Sequence, residues 1–229
     1  MGLDPASEEA RRAVGLVREN ARWEYDNLRF FDGEVEPCIN GQAVAIGAYF
    51  GQDVKGIVDR LLNDQMADGG WNCEQERGSI RGSFDSSINV LEGLLEYERA
   101  VGGNPEVAAA RARGQEYLVE RRMVRRLSTD ELIEPNTGDW YHFSFPTRWH
   151  YDVLRGLDHL RNARVEPDER LTEALDLVEK RRGDDGRWPA HNPYEGEVHF
   201  DLDAPEGEPS RWNTLHALRV LRWAGRAQD

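Results

Sequence analysis

The feature that most constrains this chain is a tryptophan that keeps returning after a glycine-containing turn. "QMADGGW" ends at Trp71, "TGDW" at Trp140 and "DDGRW" at Trp188. Together with Trp23, these residues lie 48, 69 and 48 positions apart. Two equal spacings and one longer gap describe a repeating unit with an insertion, placed here between Leu127 and Trp140. Repeats of this size signal stacked supersecondary units, none of which buries its apolar face alone.

The segment leading into each turn reads as an amphipathic helix. Val54, Ile57, Val58, Leu61 and Leu62 follow the i, i+3, i+4, i+7, i+8 pattern, as do Leu171, Leu175 and Val178, which puts one apolar stripe on an otherwise solvated cylinder. The glycines that follow suit the left-handed conformation at helix C-termini. After each turn comes a second helix type, apolar around more of its circumference: 41–51, 86–102, 148–161 and 211–223. Ser86 or Asp85 can cap the second of these. Alternating outer amphipathic and inner apolar helices predict an all-α fold of about four helix pairs, stacked as an open array or curled into a ring. The expected organisation is a single domain, 1–229.

Composition narrows the partners. A formal net charge of −14 across 229 residues offers no basic face for nucleic acid or an anionic membrane. No apolar run approaches the roughly 20 residues of a membrane span, and the N-terminus lacks the layout of a signal peptide. Two cysteines, Cys38 and Cys73, are too few for a disulfide scaffold. A cytoplasmic location is the expectation.

The tryptophan segments resemble the QW motif of the terpenoid cyclase and protein prenyltransferase superfamily. Lys55, Gly56, Leu61, Gln65, Gly69 and Trp71 match it, with Arg60 departing at the aromatic position. A third copy keeps Arg113, Gly114, Tyr117, Leu118, Gly138 and Trp140, with Arg122 in place of glutamine. A fourth keeps Ala174, Val178, Gly186 and Trp188, with Arg182 in that place. The resemblance implies an (α/α) toroid, short or incomplete, in which the motif ties an outer helix end to its neighbour. The tryptophans are then structural clamps. It also implies a central cavity, beside the inner-helix N-termini, that binds or transforms a hydrophobic terpenoid or aromatic molecule.

Three chemistries compete for that cavity. Alkene-protonating cyclisation uses an Asp-x-Asp-Asp motif; the nearest match, Asp201-Leu202-Asp203-Ala204, lacks its last aspartate. A zinc-dependent transferase or cyclase would draw ligands from Cys38, Cys73, Asp85 and His150, as the metal sites of the resembled fold imply, since three protein ligands and an open position suit catalytic zinc. A non-catalytic module would bind a small molecule or a protein, with Trp149, Tyr151 and Trp212 as apolar walls and Asn40, Asn213 and His216 among the polar contacts. Both an enzyme and a binder stay open; His150, Asp85 and Cys73 are the candidate catalytic residues. The acidic loop at 191–213 reads as a solvated loop or as a lid over the cavity. Arg121, Arg122, Arg125 and Arg126 read as a solvated face paired with glutamates.

Overall fold

The computed structural model describes residues 3–133, 140–193 and 198–226. Among them the chain is mostly helical, with eight α-helices. Its one sheet pairs two-residue antiparallel strands, β1 (Trp188–Pro189) and β2 (Pro209–Ser210). Two compact units emerge, Met1–Tyr117 and Leu118–Asp229.

The first unit contains α1 (Glu8–Asn20), α2 (Pro37–Tyr49), α3 (Lys55–Asn63), α4 (Phe84–Val101) and most of α5 (Pro105–Glu120). Within this unit the expected alternation is visible in the burial of α3 and α4. α4 buries ten of its 18 residues, whereas α3 buries only Ile57, Val58 and Leu61. Ser83 caps α4 by accepting the Ser86 N–H, and Gly102, at φ +76°, ends it in the left-handed region. α4 packs against α2 at very close range. A Cβ on Gly41 would lie 2.4 Å from the Asn89 carbonyl oxygen, and one on Gly93 would lie 2.3 Å from that of Gly41. Gly41 is thus demanded by backbone-to-backbone contact with α4, and that contact fixes the register of the two helices. Gly47 instead makes room for the Val54 and Phe31 side chains.

Trp71 is fully buried, and its indole N–H donates to the Leu61 carbonyl at 2.7 Å, satisfying an orphan acceptor in the last turn of α3. Gln65 donates to Gly69 O and, across to α5, to Ala110 O, both at 2.8 Å. One glutamine therefore closes its own turn and ties it to the following amphipathic helix.

The second unit contains α6 (Val153–Asn162), α7 (Thr172–Lys180) and α8 (Arg211–Trp223). It repeats the device. Trp188 is fully buried and donates to Val178 O at 2.7 Å, ten residues back, as Trp71 does to Leu61. Arg182, in the glutamine position, donates from Nε to Gly186 O at 3.0 Å and lies over the Trp188 ring. It reproduces the turn-closing half of Gln65's role. The other two tryptophans differ. Trp140 is buried edge-on against Tyr151, while Trp23 is partly exposed and bonds Phe30 O within its own short hairpin. Thr137, Gly138 and Asp139, the turn before Trp140, lie outside the described residues.

Several boundaries depart from the sequence reading. The inner helix expected at 41–51 runs from Pro37 to Tyr49, with Pro37 opening its first turn. The helix expected at 148–161 starts at Val153 instead. Arg148 has φ +51°, which no helix accommodates, and Asp152 caps the first turn by accepting the Arg155 N–H at 2.7 Å. Arg121, Arg122, Arg125 and Arg126 follow α5 rather than riding on it, because Arg122 and Met123 have positive φ. Arg125 nevertheless meets a glutamate, in a bidentate pair with Glu173 at 2.6 Å.

Candidate functional site

The first turn of α2 and the loop that follows Trp71, pinned to Ser86 of α4, bring Cys38 and Cys73 together. Their sulfurs are 2.9 Å apart, although 35 residues separate them in the chain. Cys38 lies in the first turn of α2, one turn before Gly41, so the α2–α4 register described above determines where its sulfur points. Cys73 lies two residues beyond the clamped Trp71. Its N–H donates to Ser86 Oγ at 3.2 Å, and the Ser86 hydroxyl donates back to Cys73 Sγ at 3.3 Å. Both thiols are free and partly exposed.

A third donor closes the group. Cys38 Sγ faces Glu36 Oε2 at 3.7 Å, and donor atoms of Glu36, Cys38 and Cys73 all fall within 4.8 Å of one another. Glu36 is held by the loop before α2. Asn40 is fully buried and braces that loop, accepting the Glu34 N–H and donating to Glu34 O, both at 2.8 Å. Glu34 in turn accepts the Glu36 N–H at 2.9 Å.

The two thiols are unequal. Hydrogen bonding with Cys38 lowers the Cys73 pKa; burial opposes this, and the Ser86 hydroxyl reinforces it. The Cys38 thiol is pushed up by its contact with Cys73, by burial and by the Glu36 charge. Sulfur and carboxylate donors together suit zinc. At Zn–S distances near 2.3 Å, tetrahedral geometry separates two sulfurs by roughly 3.8 Å. The pair would open by about 0.9 Å to hold such an ion. That is within reach of a χ1 adjustment at a partly exposed site.

The other expected site residues fall as follows. No metal-capable group among the described residues includes Asp85 or His150. Asp85 occupies the first turn of α4, and its carbonyl accepts from Asn89. In the second unit, His150 and Trp149 sit ring against ring, centroids 3.7 Å apart, in the loop before α6. Tyr151 is core, its hydroxyl donating to Met123 O at 2.8 Å. Asn213 is buried and its amide donates to Phe143 O and Pro189 O. Trp212 stacks on Phe145, centroids 4.6 Å apart, and donates to Leu202 O. His216 Nδ1 lies 3.1 Å from Asp158 Oδ2. Burial raises the Asp158 carboxyl, but His216 and Arg161 outweigh it and the net shift is downward.

The described part of the acidic loop lines a pocket of about 320 Å³ in the second unit. Phe145, Val198, Phe200 and Leu202 form its apolar side, and Arg148, His191, Asp201 and Asp203 its polar side. Residues 194–197 of the loop lie outside the described residues. Asp203 is held by Ser210 at 2.5 Å, so the partial Asp-Leu-Asp motif is tied to the α8 cap.

Glu36 is the member of the thiol cluster that sequence reasoning overlooks. Its signal is slight: a carboxylate two residues before a cysteine, with a proline between to start the helix. No family model, curated protein or solved structure matches this chain.

Proposed function

We propose that this chain is an α/α-toroid module, of the terpenoid cyclase and prenyltransferase kind, whose chemistry centres on a thiolate-held divalent metal of the zinc class. Cys38, Cys73 and Glu36 are its ligands, and a fourth position stays open. The observation that carries this reading is the convergence of two sulfurs and a carboxylate within 4.8 Å at the mouth of the α2–α4 pair. Thiolates select soft or borderline cations over magnesium and calcium, and three protein ligands leave the vacancy that distinguishes catalytic from structural zinc. An ion held there supplies Lewis acidity to whatever occupies that vacancy. The surrounding protein contributes a rigid platform and partial exposure to solvent. The paired indole clamps at Trp71 and Trp188 support the toroid.

The test is metal content of the purified protein, followed by titration of the apoprotein with zinc and with cobalt as a spectroscopic substitute. One equivalent per chain, with a thiolate-to-cobalt charge-transfer band, is expected. Cys38→Ser and Cys73→Ser should each abolish that band, and Glu36→Gln, which removes a ligand, should weaken binding by more than the about 10- to 100-fold that loss of a mere supporting group costs. A folded wild-type chain that takes up neither ion sinks the proposal.

A second reading rests on the pocket in the second unit, whose aromatic and aliphatic side suits a hydrophobic small molecule. Prenyl alcohols and simple aromatics should raise the melting temperature in proportion to affinity. Phe200→Ala should remove the effect. No shift with any of them overturns this reading and leaves the metal site untouched.

A further inference from the structure

The sulfurs of Cys38 and Cys73 stand closer than two ligands of one zinc ion would, and this proximity has its own chemistry. A disulfide requires a separation of about 2.05 Å, so bonding the pair calls for a movement of about 0.9 Å. The backbone is already committed to the approach. Gly41 and Gly93 lock α2 on α4, Gln42 bonds Asn89 across the same interface at 2.9 Å, and Ser86 holds Cys73 from both its N–H and its sulfur. These are the chain's only two cysteines, so an oxidised sulfur has one intramolecular partner and no competing pairing. Both thiols are partly exposed, and Glu36 beside them disfavours an anionic reagent.

We propose that Cys38 and Cys73 form a redox-active dithiol that exchanges with small uncharged or cationic aliphatic disulfides. One sulfur attacks the external disulfide RS–SR: a protein S–SR bond forms, the S–S bond breaks, and RS⁻ leaves. The second protein sulfur then attacks the first, forming the Cys38–Cys73 bond and releasing the other RS⁻. The two thiol protons pass to the departing thiolates. Two protein thiols are oxidised and one external disulfide is reduced to two thiols, a balanced two-electron exchange. This inference concerns the residues of the metal reading but does not require the ion.

The test is incubation of the metal-free full-length protein with bis(2-hydroxyethyl) disulfide, followed by thiol counting and intact mass. Wild type should lose both thiols together, with a mass lower by two hydrogens, no retained adduct and recovery on reduction. Cys38→Ser and Cys73→Ser, lacking the resolving sulfur, should each retain one mercaptoethanol adduct. Glu36→Gln should still close its disulfide while binding zinc weakly, which separates this inference from the metal reading. Closure without zinc uptake by wild type would sink that reading and keep this one. Wild-type protein that stays reduced, or that accumulates two adducts with no internal bond, overturns the exchange.

Discussion

Asp152 shows what one buried carboxyl does when it serves as a helix cap. It is 4% exposed, and burial raises its pKa from the ordinary 3.8 to about 6, against hydrogen bonds from the Arg155, Ser144 and Leu154 backbone and the charge of Arg155. The folded chain thus holds this proton more tightly than the unfolded one. Below about pH 4 the carboxyl is protonated in both states and its titration favours neither. Between about pH 4 and 6 the unfolded chain ionises first, and stability falls as pH rises; above about pH 6 a constant cost remains. Two pKa units correspond to about 3 kcal/mol. Asp152→Asn keeps a competent cap without the titration. Urea unfolding of both proteins at pH 4, 5, 6 and 7 should show the variant gaining about 2–3 kcal/mol relative to wild type across that window. Other carboxylates titrate in both proteins and cancel in the difference, so parallel pH curves would refute the assignment. At this same scale, the sequence exposed the two cysteines but not their third partner. Cysteines stand out by rarity, whereas Glu36 is one acid among many, and only the brace from Asn40 to Glu34 turns it toward Cys38.

At the scale of elements, the clamps make the firmest claim. Trp71 and Trp188 each reach ten residues back to a carbonyl in the last turn of an amphipathic helix. Trp→Phe at either position leaves that buried acceptor unsatisfied, at about 1–3 kcal/mol, and opens a cavity besides. Denaturant unfolding should give losses of about 2–4 kcal/mol for Trp71→Phe and for Trp188→Phe. Trp23→Phe, on a partly exposed ring, should cost less. Equal losses at all three positions would show that the indoles fill volume without clamping. The α2–α4 crossing makes a second claim. Gly41→Ala would put a methyl group 2.4 Å from the Asn89 carbonyl oxygen, so it should force the helices apart and weaken zinc uptake and disulfide closure together. Titration and thiol counting on the variant check this, and unchanged behaviour would mean that the crossing does not position Cys38. Caps and helix type were not fully legible, since Ser83 rather than Ser86 or Asp85 caps α4 and α8, expected as an inner apolar helix, buries only four of its 13 residues. Helix spacing was, because periodicity and Gly-x-Trp turns depend on local sequence. α3, α4 and α8 accordingly fall where the pattern puts them. The start of α6 was not legible. The apolar run at Trp149–Tyr151 imitates a helix face, while the positive φ of Arg148 and the cap at Asp152 are decided by tertiary contacts.

For the whole molecule, charge outweighs any single pair. Lys and Arg number 29 against 43 Asp and Glu, and many of the ion pairs are local and solvent-facing, such as Lys55–Asp59, Arg77–Glu74 and Arg170–Asp168. Exposed pairs of this kind contribute about 0–1 kcal/mol each, and salt screens them along with everything else. The net excess of 14 negative charges repels itself in the compact state more than in the expanded one, which lowers stability when screening is weak. Raising ionic strength from 0.01 to 1 M shortens the Debye length from about 30 to 3 Å. That range passes from coupling charges across a whole compact unit to coupling only those in contact. The long-range repulsion is therefore removed before the shortest favourable pairs, such as Arg125–Glu173 at 2.6 Å, are lost. The melting temperature in sodium chloride should rise over this range and level off toward 1 M. Sodium chloride is the salt to use, since sulfate would add its own strengthening of apolar burial. A melting temperature that falls with added salt would mean that the ion pairs, taken together, outweigh the excess charge, and that surface pairing contributes more to this fold than exposed pairs ordinarily do.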